Sequence, residues 1–329
     1  MMLVAPILIE HGSKELKERF IRRTVIGDIT WCQLFSEPGA GSDLAGLQSG
    51  AYLSADGWRL SGQKVWSTGA ATADFGLLLA RTDWDVPKHQ GITAFVLPMR
   101  QAGVQVRPLR QMNGHSSFNE VFFDAADVSH VIGEPGGGWA IAKATLAHER
   151  RLAAFPPARD AGGRAWREAI AERTAAAEPH KWYPQRAGRT DLVIEQARAL
   201  GRASDPVVRQ EIAKLIELSW SARWMEERLA AARAAGQQSV GSLGKVASSK
   251  IARQAARVHS LIAGPAGSLA GPDSLLGGII AEISVSVPAI SIAGGTDEIQ
   301  RSIIAERILG LPREPDISVG IPFRDVRTG

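Results

Sequence analysis

The chain changes texture at Gly136-Gly137-Gly138, and that change limits the folds open to it more than any other feature. Before the triplet, short apolar or alternating runs recur at Trp31–Phe35, Trp58–Trp66, Phe75–Ala80, Ile92–Leu97, Val104–Val106 and Glu120–Phe123. Turn signals such as Pro38-Gly39, Asp56-Gly57, Ser61-Gly62 and Asn113-Gly114 separate them. Evenly spaced short strands between turns predict an antiparallel β-barrel or sandwich. After the triplet the apolar period is near 3.6. Asp205-Pro206 reads as an N-cap followed by proline in the first turn, and Val208, Ile212, Leu215, Leu218, Ala222, Met225 and Leu229 then recur every three or four residues until Gly236. Further helical stretches over Gly138–Ala154, Ser242–Ala263, Asp273–Val287 and Thr296–Leu309 predict a helical bundle. Pro6 to Arg23 reads as one or two short helices, and Phe155–Arg189 as a long excursion with little functional signal. With 329 residues, the whole is an α+β chain of more than one domain.

Composition narrows the function classes. Lys and Arg number 38 against 34 Asp and Glu, a formal charge of +4, and a small surplus without clustering argues against nucleic acid as a partner. Hydrophobic residues at 45% and charged residues at 22% argue against disorder. One cysteine, Cys32, excludes an internal disulfide framework and a cysteine-based zinc cluster, and reads as a small core residue. The apolar opening residues lack a basic flank and break at Glu10-His11-Gly12-Ser13, against a signal peptide. With no long apolar run to span a membrane either, the expected location is the cytoplasm. The histidines show no metal-ligand spacing, so no metal site is expected.

Several local motifs are ambiguous alone. Glu37-Pro38-Gly39-Ala40-Gly41-Ser42-Asp43 follows a strand, and its glycines could let a ligand approach the backbone, yet taken alone it reads better as a plain turn. Gly241-Ser242-Leu243-Gly244-Lys245-Val246 is a phosphate-loop decoy, too short and followed by valine. In the helix after the glycine triplet, Ile141, Thr145, Glu149 and Leu152 share one stripe. A carboxylate there is either paired through the fold, or held with a raised pKa that suits a general base. Ala293-Gly294-Gly295-Thr296-Asp297-Glu298 joins a small-residue turn to a helix start with Thr296 as N-cap, and Trp66-Ser67-Thr68-Gly69 ends a strand with an aromatic and two hydroxyls.

In this order along the chain, the segments resemble the acyl-CoA dehydrogenase family of flavoproteins. The resemblance covers most of the chain and rests on Gln33 through Ala45, Gly62-Gln63-Lys64-Val65-Trp66-Ser67-Thr68, Phe118-Asn119-Glu120-Val121-Phe122-Phe123-Asp124, and Gly295-Thr296 through Gly310-Leu311-Pro312-Arg313. It implies a remnant of an N-terminal helical domain (1–30), a middle antiparallel β-barrel (31–132), a C-terminal four-helix bundle (133–313, with the excursion at 155–189) and a tail (314–329). It also implies FAD as cofactor. The implied reaction is α,β-dehydrogenation of an acyl-CoA thioester, with electrons passing to an electron-transferring flavoprotein. Residue by residue, it places Gln33, Phe35, Ser36, Trp66 and Thr68 along the flavin ring, Thr296 and Glu298 on the flavin from across a subunit interface, and Ser42 and Arg150 on the acyl-CoA. Those interface contacts imply a homodimer or homotetramer.

Two departures qualify these expectations. Many members carry the catalytic base as the glutamate of a Tyr-Glu-Gly-Thr sequence; here Ala293-Gly294-Gly295-Thr296 puts glycine in its place. A subset carries the base on the first helix after the barrel, and Glu149 falls there, so the resemblance favours Glu149 as base. Gly294 retains a backbone N–H for the thioester oxygen. The match also begins only near Pro6, at the end of the family's N-terminal domain, so most of those helices are expected to be missing. A catalytically silent or partner-dependent subunit of a heteromeric enzyme acting on steroid-type acyl-CoA is therefore the main alternative, with a flavin oxidase or monooxygenase third.

Overall fold

Helix α1 (Val4–His11) and the run α2 (Lys14–Leu16), a π-helical turn at Lys17–Ile21, and α3 (Arg22–Val25) lead into the sheet of this computed structural model. The structure describes residues 3–153, 185–236, 241–315 and 318–326. These fall into two compact units, one formed by 1–149 with 314–329 and the other by 150–313.

The first unit is built on a sheet of eight strands: β1 (Trp31–Leu34), β2 (Gly50–Ser54), β3 (Gly57–Lys64), β4 (Phe75–Arg81), β5 (Ile92–Pro98), β6 (Val104–Leu109), β7 (Phe118–Val128) and β8 (His130–Ile132). Their order is β6-β7-β3-β2-β4-β5-β8, with β1 also on β4. The expected closed antiparallel barrel is not formed. One edge of β4 is shared by two parallel neighbours, β1 along Phe75–Leu78 and β2 at Arg81 alone, so the sheet splits there and β6 and β8 remain as edges. Pro108 in β6 has no N–H to offer a further neighbour, as suits an edge.

Both faces of β4 and β5 are covered, which is why their sequences are apolar throughout rather than alternating. Leu77, Leu79, Ile92, Ala94 and Val96 face one core together with Ile7, Leu8, Leu16 and Phe20 of the opening helices and Ile141 and Ala142 of α4 (Gly138–Ala153). Leu78, Ala80, Phe95 and Leu97 face the other with Leu60, Val121 and Phe123. Cys32 lies in this second core, where burial pushes its thiol up to about 12. The later residues 318–326 return to this unit: Phe323 donates its N–H to the Val86 carbonyl and lies 3.4 Å beneath the guanidinium of the fully buried Arg81.

The second unit is helical: α5 (Val193–Ala199), α6 (Pro206–Ala234), α7 (Ser242–Ala263), α8 (Ile279–Ser286) and α9 (Asp297–Arg307). Each of the other four helices packs on α7. Asp205 caps α6 as the sequence predicts, its carboxylate accepting the N–H groups of Val207 and Val208 at 2.9 and 3.3 Å. Val208 and Leu215 of the apolar stripe join Ala255, Val258 and Ile262 in the core, while Trp220 and Trp224 on the same helix stay exposed. No described helix is long and apolar enough to cross a membrane.

Candidate functional site

In the first unit, the ends of β1 and β3 are tied together by a buried ion pair. Lys64, fully buried, donates from Nζ to the Phe35 carbonyl at 2.9 Å and to Glu37 Oε1 at 2.8 Å. The Glu37 carboxylate also accepts the N–H groups of Gln48 and Ser49 at 2.6 and 2.9 Å. Burial pushes the Glu37 pKa up, but the Lys64 charge and these hydrogen bonds outweigh it and leave the carboxyl below its ordinary value. Val65 donates its N–H to the Ser36 carbonyl at 2.9 Å, so Gln33-Leu34-Phe35-Ser36 and Lys64-Val65-Trp66 run side by side.

Beyond Lys64 the β3 backbone turns. Trp66 adopts φ of 61°, a left-handed conformation that is an outlier for a bulky residue, and the residue is 60% exposed. The Phe118 ring meets that indole edge-on at 5.8 Å. Ser67 is buried, donating its N–H to the Asn119 carbonyl at 3.0 Å and accepting at its own carbonyl from Asn119 Nδ2 at 2.9 Å. Thr68 is exposed, Gln33 and Ser36 are half-buried, and the side chains of all three are without a hydrogen bond to any described residue. Phe35 differs from these neighbours: its ring lies in the core at 4% exposure, so it reaches the turn only through its backbone. Ser42 is exposed just past a tight turn in which Glu37 and Ala40 exchange N–H···O bonds of 3.1 Å.

On α4, Ile141 and Thr145 are buried and Glu149 is half-buried, so the stripe that carries the carboxylate opens outward toward the helix end. The neighbouring His148 places Nε2 3.0 Å from Glu10 Oε1 and pins α4 to α1. Arg150 belongs to α4, and its side chain lies outside the described residues, as does most of the excursion expected at 155–189.

In the second unit, Gly294 and Gly295 both lie in the left-handed region, with φ of 68° and 88°. The Gly294 N–H donates to no described residue, while Gln300 Nε2 donates to the Gly294 and Gly295 carbonyls at 3.3 and 3.5 Å. A Cβ at Gly295 would sit 2.5 Å from that nitrogen. Thr296 caps α9, its Oγ1 accepting the Ile299 N–H at 3.3 Å. Asp297, 2% exposed, accepts from Lys245 and Arg253 at 3.1 Å each. Burial raises its pKa, yet hydrogen bonds from Ser249 and Lys245 and the two cations leave it below the ordinary carboxylate value. Glu298 is exposed and 3.8 Å from Arg301.

Lys64, Asn119, Asp297 and Gln300 support these turns without having been singled out from the sequence. The one local hint was a charged side chain, Lys64, inside the strand pattern Trp58–Trp66, where a polar group needs a partner that the pattern does not name.

Residues 32–126 match the family "Acyl-CoA dehydrogenase, middle domain", and residues 194–309 match "Acyl-CoA dehydrogenase, C-terminal domain". The chain is 32% identical over 328 residues to acyl-CoA dehydrogenase IpdE1 of Mycolicibacterium smegmatis, covering 95% of the chain and 75% of that protein. It belongs to the acyl-CoA dehydrogenase family. Acyl-CoA dehydrogenase FadE34 of Mycobacterium tuberculosis is 37% identical over 313 residues, which span 94% of this chain but only 39% of that longer protein. Among solved structures, a "Tcur3481-Tcur3483 steroid ACAD" is similar with a TM-score of 0.78 and 28% identity, over 95% of this chain and 76% of that one.

Acyl-CoA dehydrogenases are FAD-dependent oxidoreductases, and the first-unit turn fits a flavin. It offers an exposed indole face and three polar side chains free to bond a ligand. Just beneath them, Ser67 Oγ and Asn119 Oδ1 are buried and without a partner among the described residues.

Proposed function

We propose that this chain catalyses flavin-dependent α,β-dehydrogenation of an acyl-CoA thioester to the trans-2-enoyl-CoA. The observation that carries this reading is the open Trp66 turn, with Gln33, Ser36 and Thr68 unengaged around it, in a chain of this family. FAD held at this turn would supply the hydride acceptor and a hydroxyl donor for the developing oxyanion. The remaining work belongs to the protein. Trp66 presents a flat apolar face to the ring, Gln33, Ser36 and Thr68 bond its polar edge, and Phe35 contributes backbone. Thr296 and Glu298 contact the flavin of a neighbouring subunit in a homodimer or homotetramer. Ser42 and Arg150 bind the acyl-CoA. Glu149 takes the α-proton from a helix face that is apolar on its inner side, and the unengaged Gly294 N–H holds the negative charge that develops on the thioester oxygen. An electron-transferring flavoprotein in the same cytoplasmic compartment receives the electrons.

A second reading is favoured by Gly294 standing where many relatives carry their base, and by the two-chain name of the similar steroid ACAD. In it this chain pairs with a second chain of the same fold to act on a steroid-type acyl-CoA. Visible absorbance of the purified chain separates the two. Flavin bands from the chain alone are expected, together with turnover of a panel of acyl-CoA thioesters. A colourless chain that gains flavin only with a partner replaces the first reading by the second. Glu149→Gln is expected to lower kcat by roughly 10²–10⁴-fold with FAD content unchanged. Wild-type turnover in that variant would remove Glu149 as the base.

A further inference from the structure

The β3–β7 ladder shifts register between Leu60 and Gly62, then pairs Gln63 with Phe122 and ends with Lys64 on Val121. Continued, that pairing would set Trp66 against Asn119, but the next bonds join Ser67 to Asn119, a slip of one residue. Val65 and Trp66 therefore oppose the single residue Glu120, and Trp66 is the extra residue of a β-bulge. Bulges re-aim a side chain, and the kind with a left-handed residue usually sets glycine there. Here a tryptophan holds it, so neighbouring groups must enforce the conformation. Two backbone bonds contribute, Ser67 N–H to Asn119 O at 3.0 Å and Gly69 N–H to Ser117 O at 3.1 Å. The third is the Asn119 amide, which donates to the Ser67 carbonyl at 2.9 Å and supplies the donor that the slipped ladder no longer provides. Asn119 is 2% exposed, so water cannot take its place cheaply.

We propose that Asn119 is a positioning residue, its side-chain amide locking the Trp66 bulge and so fixing the indole and the Thr68 hydroxyl for the flavin. This rests on the reading of Trp66 and Thr68 as flavin contacts. The requirement is for a donor at this atom: leucine fills the volume without one, and an ionised aspartate turns an acceptor toward the Ser67 carbonyl.

The experiment compares wild type, Asn119→Leu and Asn119→Asp by hydrogen exchange of a peptide spanning residues 65–70 in FAD-free protein and by FAD titration across pH. In Asn119→Leu, exchange in that peptide is expected to accelerate about tenfold with the rest of the first unit unchanged, and the Kd for FAD to rise about tenfold, the size of one lost buried hydrogen bond. In Asn119→Asp a protonated carboxyl can donate and an ionised one cannot. Its FAD affinity relative to wild type should therefore be near one at low pH and fall about tenfold as pH rises through a carboxyl pKa raised by burial. General destabilisation would not produce that pH-dependent recovery, which also keeps the test decisive if the leucine variant unfolds. Exchange within twofold of wild type in the leucine variant, or an aspartate variant indistinguishable from wild type at every pH, overturns the proposal. If wild type takes up no FAD, the flavin reading of the turn fails, and the exchange comparison alone still decides whether Asn119 holds the bulge.

Discussion

The turn at Trp66–Thr68 in the first unit and the turn at Gly294–Thr296 in the second both carry the backbone through the left-handed region, with opposite residue choices. At Trp66 a bulky residue occupies a conformation that disfavours a side chain by about 1–2 kcal/mol. At Gly294 and Gly295 the side chain has been given up altogether. On the proposed reading, the difference follows the group each turn presents. The first would present an indole face, and the strained backbone is braced nearby by the Asn119 amide and the Lys64–Glu37 pair. The second would present the Gly294 N–H; its left-handed φ values suit glycine, and Gln300 and the buried Asp297 hold its flank. Strain at a turn is thus informative when the residue under strain carries a chemically useful side chain.

The largest expected effect breaks the first support. Lys64→Met removes one partner of a buried pair and strands Glu37, and should lower unfolding free energy in urea by about 3–5 kcal/mol. A loss under 1 kcal/mol would mean that the β1–β3 tie does not depend on the charge. Next, Asp297→Asn should destabilise by about 1–3 kcal/mol near neutral pH. Because the folded Asp297 pKa is depressed, its stabilisation is present above the ordinary carboxylate value and lost as pH falls through the folded one. The wild-type advantage over Asp297→Asn should accordingly shrink below about pH 4, as read by denaturant midpoints at several pH values. The smallest pair of effects sharpens the contrast between the turns. Gly294→Ala should cost about 1–2 kcal/mol in stability, whereas Trp66→Gly should be neutral or gain up to about 1 kcal/mol while weakening FAD binding. If both variants lose stability alike, the strain at Trp66 is not the distinction drawn between them.

Much of the fold was legible. Turn-bounded runs located β3, β4 and β5, and the Asp205-Pro206 signal set the start of α6 to the residue. β2 and β8 were missed because Gly50–Ser54 and His130–Ile132 are short and mixed, and exist as strands only through their neighbours. Barrel closure was misjudged because alternation says which faces are buried and nothing about two strands sharing one edge of β4. At the site, Trp66, Thr68 and Gly294 stood out as residue types at turns. Lys64 and Asn119 did not, because their roles come from partners 27 and 52 positions away, a separation that no local pattern encodes.

The packing of Phe323 beneath Arg81 has a consequence for how the chain is made. Arg324 and Asp85, which pair beside that stack, are 239 positions apart. At a synthesis rate of about 5–20 residues per second, roughly 10–50 s separate the emergence of one from the other. For that interval the Arg81 guanidinium has its carbonyl partners but not its aromatic floor. The first unit is thus translated early and completed late, and the whole helical unit must leave the ribosome before its last piece arrives.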